Sequence, residues 1–242
     1  MSNKKSQYIS EYIIRELQKI NMKNMTVLDV GCGTGEYIPY LKGKITGIDF
    51  DKKLVAIAKQ KYPKVKFLIH DCTKLPLPIK SDVDFIFSTE LVEHLKKNDA
   101  IKLIKEFEKT SRIIFISTPN VNNFTSLVRF IVFRTIAIAG TPNTVEKVLF
   151  FLKNKKKTPK FSKYPVVEEK LLEGNPNKDL HYHVSNFNTA FFKMRGYRVI
   201  GGLGFMSYNA IKNKTIRNML DAFFYYFPYF AGDILAIKIV RT

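Results

Sequence analysis

Apolar residues in this chain fall into short dense runs separated by stretches of helical spacing. Met25–Leu28, Lys44–Ile48, Val65–Ile69, Val83–Phe87 and Ile113–Ile116 are four- or five-residue runs that read as strands. Val83–Phe87 is nearly unbroken in its hydrophobicity, as expected of a parallel strand covered on both faces. Between the runs, Lys52–Tyr62 puts Leu54, Val55, Ile57 and Ala58 on one face of a helix, with Asp51 placed to cap it and Pro63 to stop it. Tyr8, Ile9, Tyr12, Ile13, Leu17 and Ile20 recur at helical spacing as well. Leu75-Pro76-Leu77-Pro78 is excluded from regular structure, because each proline restricts itself and the residue before it. Ser185 is placed to cap a helix ending at Gly196, and Asp233–Arg241 reads as a final strand.

The first strand runs into Val-Leu-Asp-Val-Gly-Cys-Gly-Thr-Gly at residues 27–35. Glycines at 31, 33 and 35 make a tight turn in which a ligand can approach the backbone. The second strand ends in Asp49, which is 20 residues after Asp29 and placed to accept from a ribose diol. Together they read as a nucleoside site on an α/β sheet. The spacing is D-x-G-x-G-x-G, not the G-x-G-x-x-G that faces a pyrophosphate. An acid before the first glycine suits a cationic ligand and would repel a phosphate.

This loop resembles motif I of the class I S-adenosylmethionine (SAM) methyltransferases, of the type-11-like kind, and further family motifs follow in order. The resemblance is detailed over residues 25–120 and recognisable over 180–242. It implies a Rossmann-like, seven-stranded α/β sheet with the last strand antiparallel and helices on both faces. It implies SAM as cofactor, held by Asp29, Gly31, Cys32, Gly33, Gly35, Asp49, Phe50, Asp71, Cys72 and Ser88, with Asp71 facing the adenine amino group. The helix over residues 8–20 resembles the family's cofactor lid, although Tyr8 and Tyr12 suit core packing better. The expected organisation is a SAM-binding core with lid helix over residues 1–120, a basic and apolar helical insertion over 121–180, and the rest of the core over 181–242.

Composition sharpens the picture in two places. Cys32 and Cys72 both lie in expected cofactor loops and read as free thiols of a reducing compartment, and the N-terminus has no apolar signal core, so a cytoplasmic protein is expected. The formal charge of +19 is uneven: residues 121–165 carry nine basic residues and one acidic. Phe124–Ala139 is apolar but short of the roughly 20 residues of a membrane span and contains Arg129 and Arg134. Five lysines follow between Lys153 and Lys160, and residues 222–230 hold seven aromatics. Apolar residues beside lysines suit an anionic membrane surface, and hence a peripheral position on its inner face; a basic patch also suits RNA; a plain lid over the active site suits both segments.

Glu90-Leu-Val-Glu93-His94 is the other chemically specific segment. It follows the fourth strand and is expected to open a helix, which would put positions i, i+3 and i+4 on one face. Two carboxylates and an imidazole so placed form half of an octahedral metal site. This E-x-x-E-H resembles two branches of the family: the ubiquinone-biosynthesis O-methyltransferases and the small-RNA 2′-O-methyltransferases. In both, a later histidine precedes an aromatic by four or five residues, which points to His183 before Phe187. The resemblance therefore implies Glu90, Glu93, His94 and His183 around Mg²⁺, Mn²⁺ or Zn²⁺, with His94 and Glu90 as the catalytic pair. His94 acting simply as a general base stays open. The favoured reading is O-methylation of a small or lipid-linked hydroxylated acceptor. RNA ribose 2′-O-methylation and a non-catalytic SAM-binding interaction protein are the alternatives.

Overall fold

The computed structural model describes residues 11–79, 83–120, 166–168, 185–202 and 214–240. Within them the strands are β1 (Thr26–Val30), β2 (Lys44–Asp49), β3 (Lys66–Ile69), β4 (Val83–Thr89), β5 (Ser111–Pro119), β6 (Val166–Glu168), β7 (Ser185–Phe187), β8 (Arg198–Gly202) and β9 (Asp233–Ile239). The helices are α1 (Glu11–Gln18), α2 (Lys52–Lys61), α3 (Lys97–Thr110), α4 (Thr189–Met194) and α5 (Lys214–Tyr226).

Seven strands form one sheet in the order β3-β2-β1-β4-β5-β9-β8. β1 to β5 are mutually parallel, and β9 runs antiparallel to both β5 and β8. The expected sheet, with its last strand antiparallel, is the one observed. Side-chain alternation divides the core in two. Val27, Phe85, Phe87, Phe115 and Leu235 point to one face, where Tyr12, Ile13 and Leu17 of α1 and Val55 and Ala58 of α2 cover them. Leu28, Val30, Ile86, Ile114 and Ile116 point to the other, under Leu103, Ile104 and Phe107 of α3 and Phe191 and Phe192 of α4. Successive strand residues face opposite sides, so apolar runs such as Phe85-Ile86-Phe87 feed both layers.

The helix of residues 8–20 begins, within the described residues, at Glu11, and Tyr12 is buried against Gly202 as core packing; Tyr8 lies outside them. Glu16 in α1 is buried and joined to Arg198 on β8 at 2.7 Å and to the Tyr225 hydroxyl of α5 at 3.1 Å. Asn120, just past β5, donates from Nδ2 to the carbonyls of Pro228, Tyr229 and Ala231, which pins the turn between α5 and β9.

Two expectations are corrected. Ser185 is not a helix cap: it belongs to β7, and its hydroxyl donates to the Leu95 carbonyl at 2.7 Å. The cap of α4 is Asn188, whose Oδ1 accepts from the Phe191 N–H, and Gly196 with φ of 79° closes that segment. The stretch 121–180 is not helical throughout either, since Val166–Glu168 pairs antiparallel with β7. Phe124–Ala139, Lys153–Lys160 and His183 lie outside the described residues. Among the described residues no helix is long and apolar enough to cross a membrane.

Candidate cofactor and acceptor site

The strand order reverses between β1 and β4, and the C-terminal ends of those strands open a crevice, the place where open α/β sheets bind ligands. β1 delivers Asp29 to its rim, in register with Phe87 of β4, and β2 delivers Asp49. The chain then turns through Gly31, Gly33 and Gly35, with φ of 76°, 52° and 79°. The Gly31 and Cys32 N–H groups donate to the Ile48 carbonyl at 2.9 and 3.0 Å, so the loop hangs on the end of β2.

Asp49 organises the loop from beneath. Its Oδ2 accepts from the Gly33 N–H and its Oδ1 from the Asp51 N–H, each at 2.9 Å. A carboxylate oxygen has more than one lone pair, so acceptor capacity remains for a diol. A β-carbon on Gly33 would meet nothing within 4 Å, whereas one on Gly31 would press on Leu91. Open space therefore lies over Gly33, and the β4 loop abuts the glycine loop at Gly31.

Asp29 is buried, and its pKa is pushed from 3.8 up to about 7, by burial first and by the charge of Asp49 second. Cys32 and Cys72 are free, buried thiols; burial pushes Cys32 up strongly and Cys72 up to about 12, so neither is nucleophilic at neutral pH. Asp71, past β3, is half-exposed and spends Oδ1 on the Thr73 hydroxyl and N–H; the Thr73 bond holds its pKa below the ordinary value. Phe50 is exposed at the end of β2 and offers a flat apolar face beside Asp49. Ser88, near the end of β4, is fully buried, and its hydroxyl has no hydrogen-bond partner among the described residues.

The helix expected at Glu90 is replaced by a strained turn and a single 3-10 turn, Val92–His94. Glu90 has φ of 50°, in the left-handed region, held by its N–H to the Ser117 carbonyl at 3.1 Å and by Ser117 Oγ donating to its Oε1 at 3.2 Å. The turn sends Glu93 inward, where both its oxygens are buried without a well-formed hydrogen bond, while His94 stays half-buried. Burial raises the Glu93 pKa well above the ordinary value, and Glu90 raises it further; the Thr118 hydroxyl is near enough to oppose this without completing a bond. Glu90 is exposed as a residue, but its head turns in toward Ser117 and Glu93, and dehydration of that head raises its pKa too. Of the pair, Glu93 is raised the further, since it is the more deeply buried residue and faces the Glu90 charge. Among the described residues no three His, Cys, Asp or Glu side chains converge on one point. A 3-10 turn behind a left-handed residue thus replaces the helical i, i+3, i+4 alignment expected of Glu90, Glu93 and His94, and His183, the fourth expected ligand, lies outside the described residues. The site also includes residues that motif reading passes over: Leu91 wedged against Gly31, and Ser117 and Thr118 at the end of β5, apolar or hydroxyl positions with no sequence pattern of their own.

Parts of this chain are similar to known proteins. Residues 27–112 match the family described as a methyltransferase domain. A probable S-adenosylmethionine-dependent methyltransferase of Mycobacterium tuberculosis is 31% identical over 100 residues, covering 39% of this chain and 35% of that protein. The ubiquinone biosynthesis O-methyltransferase of Pelagibacter ubique is 36% identical over 125 residues, covering 47% of this chain and 51% of that one. The chain thus spans about half or less of the length of the curated relatives it matches. A SAM-dependent methyltransferase structure from Aquifex aeolicus is 32% identical, with a TM-score of 0.37 over 46% of this chain and 64% of that one. Residues 27–112 are thus similar to a methyltransferase domain, and they hold the glycine loop and most of the parallel half of the sheet.

Proposed function

We propose that the protein binds SAM in the β1–β2–β4 crevice and transfers its methyl group to a hydroxyl of a small or lipid-linked acceptor. The observation that carries the reading is the left-handed glycine loop, hooked through the Gly33 N–H onto Asp49 beside the buried Asp29. The residues fit the cofactor: space lies over Gly33, the raised Asp29 carboxyl has a use for a cation, and Asp49 keeps acceptor capacity. Bound there, SAM supplies a sulfonium methyl that an oxygen nucleophile takes by direct displacement. Asp29 counters the positive charge, Asp49 receives the ribose hydroxyls, and Phe50 offers a surface to the base. His94 accepts the proton that leaves the acceptor hydroxyl, and Glu90, held by Ser117, lines the same rim. The named activity of the Pelagibacter ubique relative supports the choice of an oxygen acceptor.

Two measurements test this. Asp49→Ala removes a charged acceptor and also unhooks the loop, so calorimetry should show SAM affinity weakened by roughly 1–3 kcal/mol. Affinity equal to the unmodified protein's would remove the assignment. Labelled SAM incubated with membrane extract, water-soluble metabolites and total RNA should place label in a hydroxylated compound of the first or second fraction. Label in RNA alone would replace the acceptor class with ribose.

A further inference from the structure

We infer that the outer face of α5 is a docking surface for an anionic lipid bilayer. α5 packs its inner side with Phe224 and Leu220, which join the core. Its outer side presents Met219, Phe223, Tyr226 and, at the helix end, Phe227, at fractional exposures of 67%, 49%, 75% and 55%. Their spacing is i, i+4, i+7, i+8, so they form one stripe along the helix. Phe223 and Phe227 stack with ring centroids 4.8 Å apart, which makes the C-terminal half a flat aromatic plate. A contiguous ridge of large apolar side chains marks a contact surface; scattered ones would not.

Charge selects the occupant. The Tyr226 ring meets the Tyr225 ring edge-on at 5.1 Å. Tyr225 in turn has Arg15 and Lys19 over its ring at 4.9 and 5.3 Å and the Arg198 guanidinium 3.4 Å from its hydroxyl. Glu16, which accepts from Lys19 and Arg198, is buried, while the Lys19 and Arg198 side chains are 53% and 56% exposed. The apolar ridge therefore adjoins a cationic cluster whose balancing carboxylate is hidden. An amphipathic helix with aromatics on one side and cations at its flank lies in a headgroup layer, apolar side down. A second copy of the chain is disfavoured as occupant, because each copy carries a formal charge of +19 and brings the same cations to the contact. The inference is independent of the methyl-transfer reading, since binding to a bilayer needs neither cofactor nor acceptor.

The chain has no tryptophan, so Tyr226→Trp gives a single reporter on the ridge. Its emission should shift to the blue with phosphatidylcholine vesicles containing phosphatidylglycerol and be quenched by brominated acyl chains. Pure phosphatidylcholine should give at least a tenfold weaker response. The triple variant Met219→Ser, Phe223→Ser, Phe227→Ser keeps the net charge; it should lose at least tenfold in co-sedimentation with the anionic vesicles while its melting temperature and SAM affinity stay within error. Unchanged co-sedimentation of the triple variant would overturn the inference, as would an emission spectrum of the Tyr226→Trp protein indifferent to vesicles that it does bind. So would self-association that the triple variant abolishes, or displacement from vesicles by RNA at equal charge.

Discussion

Asp29 shows how burial sets the charge state of a single carboxyl. An acid whose folded-state pKa lies above its unfolded value holds more protons folded than unfolded between the two values, so stability falls as pH rises through that window. For Asp29 the window runs from about 4 to about 7, given its rise from 3.8 to about 7. Asp29→Asn, which cannot ionise, should therefore gain on the unmodified protein as pH rises from 5 to 8 in urea melts without SAM. The upper bound over that range is on the order of 3 kcal/mol, from about 1.4 kcal/mol per pH unit over the roughly two units between pH 5 and the folded-state value. The same variant should bind SAM more weakly. A stability difference that stays flat over that range would mean that Asp29 titrates normally. Gly33 is a second residue-scale test. Alanine there has room for its methyl but must hold φ near 52°, costing about 1–2 kcal/mol of stability, and the methyl enters the space over the loop. Calorimetry of Gly33→Ala should show a larger loss in SAM affinity than urea melts show in stability; equal losses would put the cofactor elsewhere.

At the scale of elements, the β4 loop and α4 show local rules giving way to long-range partners. Glu90 to His94 has helical spacing, yet the Ser117 carbonyl captures the Glu90 N–H and fixes a left-handed turn. Ser185 is a good capping type, yet the Leu95 carbonyl, 90 positions earlier, takes its hydroxyl and extends it into a strand; the cap passes to Asn188. Asn188→Ala should therefore cost about 1 kcal/mol in urea melts, and Asn188→Ser or Asn188→Asp should restore most of it. No loss on Asn188→Ala would return the cap to Ser185. By contrast local pattern and tertiary packing agree in α3, where Ala100, Leu103, Ile104 and Phe107 repeat at helical period and all four are buried.

Across the whole molecule, the N-terminal helix is a clasp. Glu16 receives Lys19 and Arg198 and the Tyr225 hydroxyl, so α1, β8 and α5 meet at one buried carboxylate. Glu16→Ala should destabilise the fold by roughly 1–3 kcal/mol, moderated because Lys19 and Arg198 are half-exposed and can regain water. Arg198→Ala should cost less, and the double variant should cost less than the sum of the two, which a double-mutant cycle reads directly. Additive losses would mean that the three elements are held by packing alone.

The short strands and the glycine loop were legible in the chain because each rests on neighbours in sequence, whereas the seven-stranded sheet with its antiparallel last strand came with the resemblance. Short apolar runs between helical stretches favour strands, and alternating glycines after an acid favour a turn that a ligand can approach. The placement of Asp29 and Asp49 at the ends of neighbouring strands followed for the same reason. Tertiary structure decided the rest: that Asp49 spends one lone pair on each of two backbone N–H groups, that Glu93 turns inward beside the Glu90 head, and that one side of α5 stays uncovered by the other described residues beside Arg15, Lys19 and Arg198. These depend on which distant groups compete for a donor, an acceptor or a covering surface. Chain-local spacing carries no record of that competition.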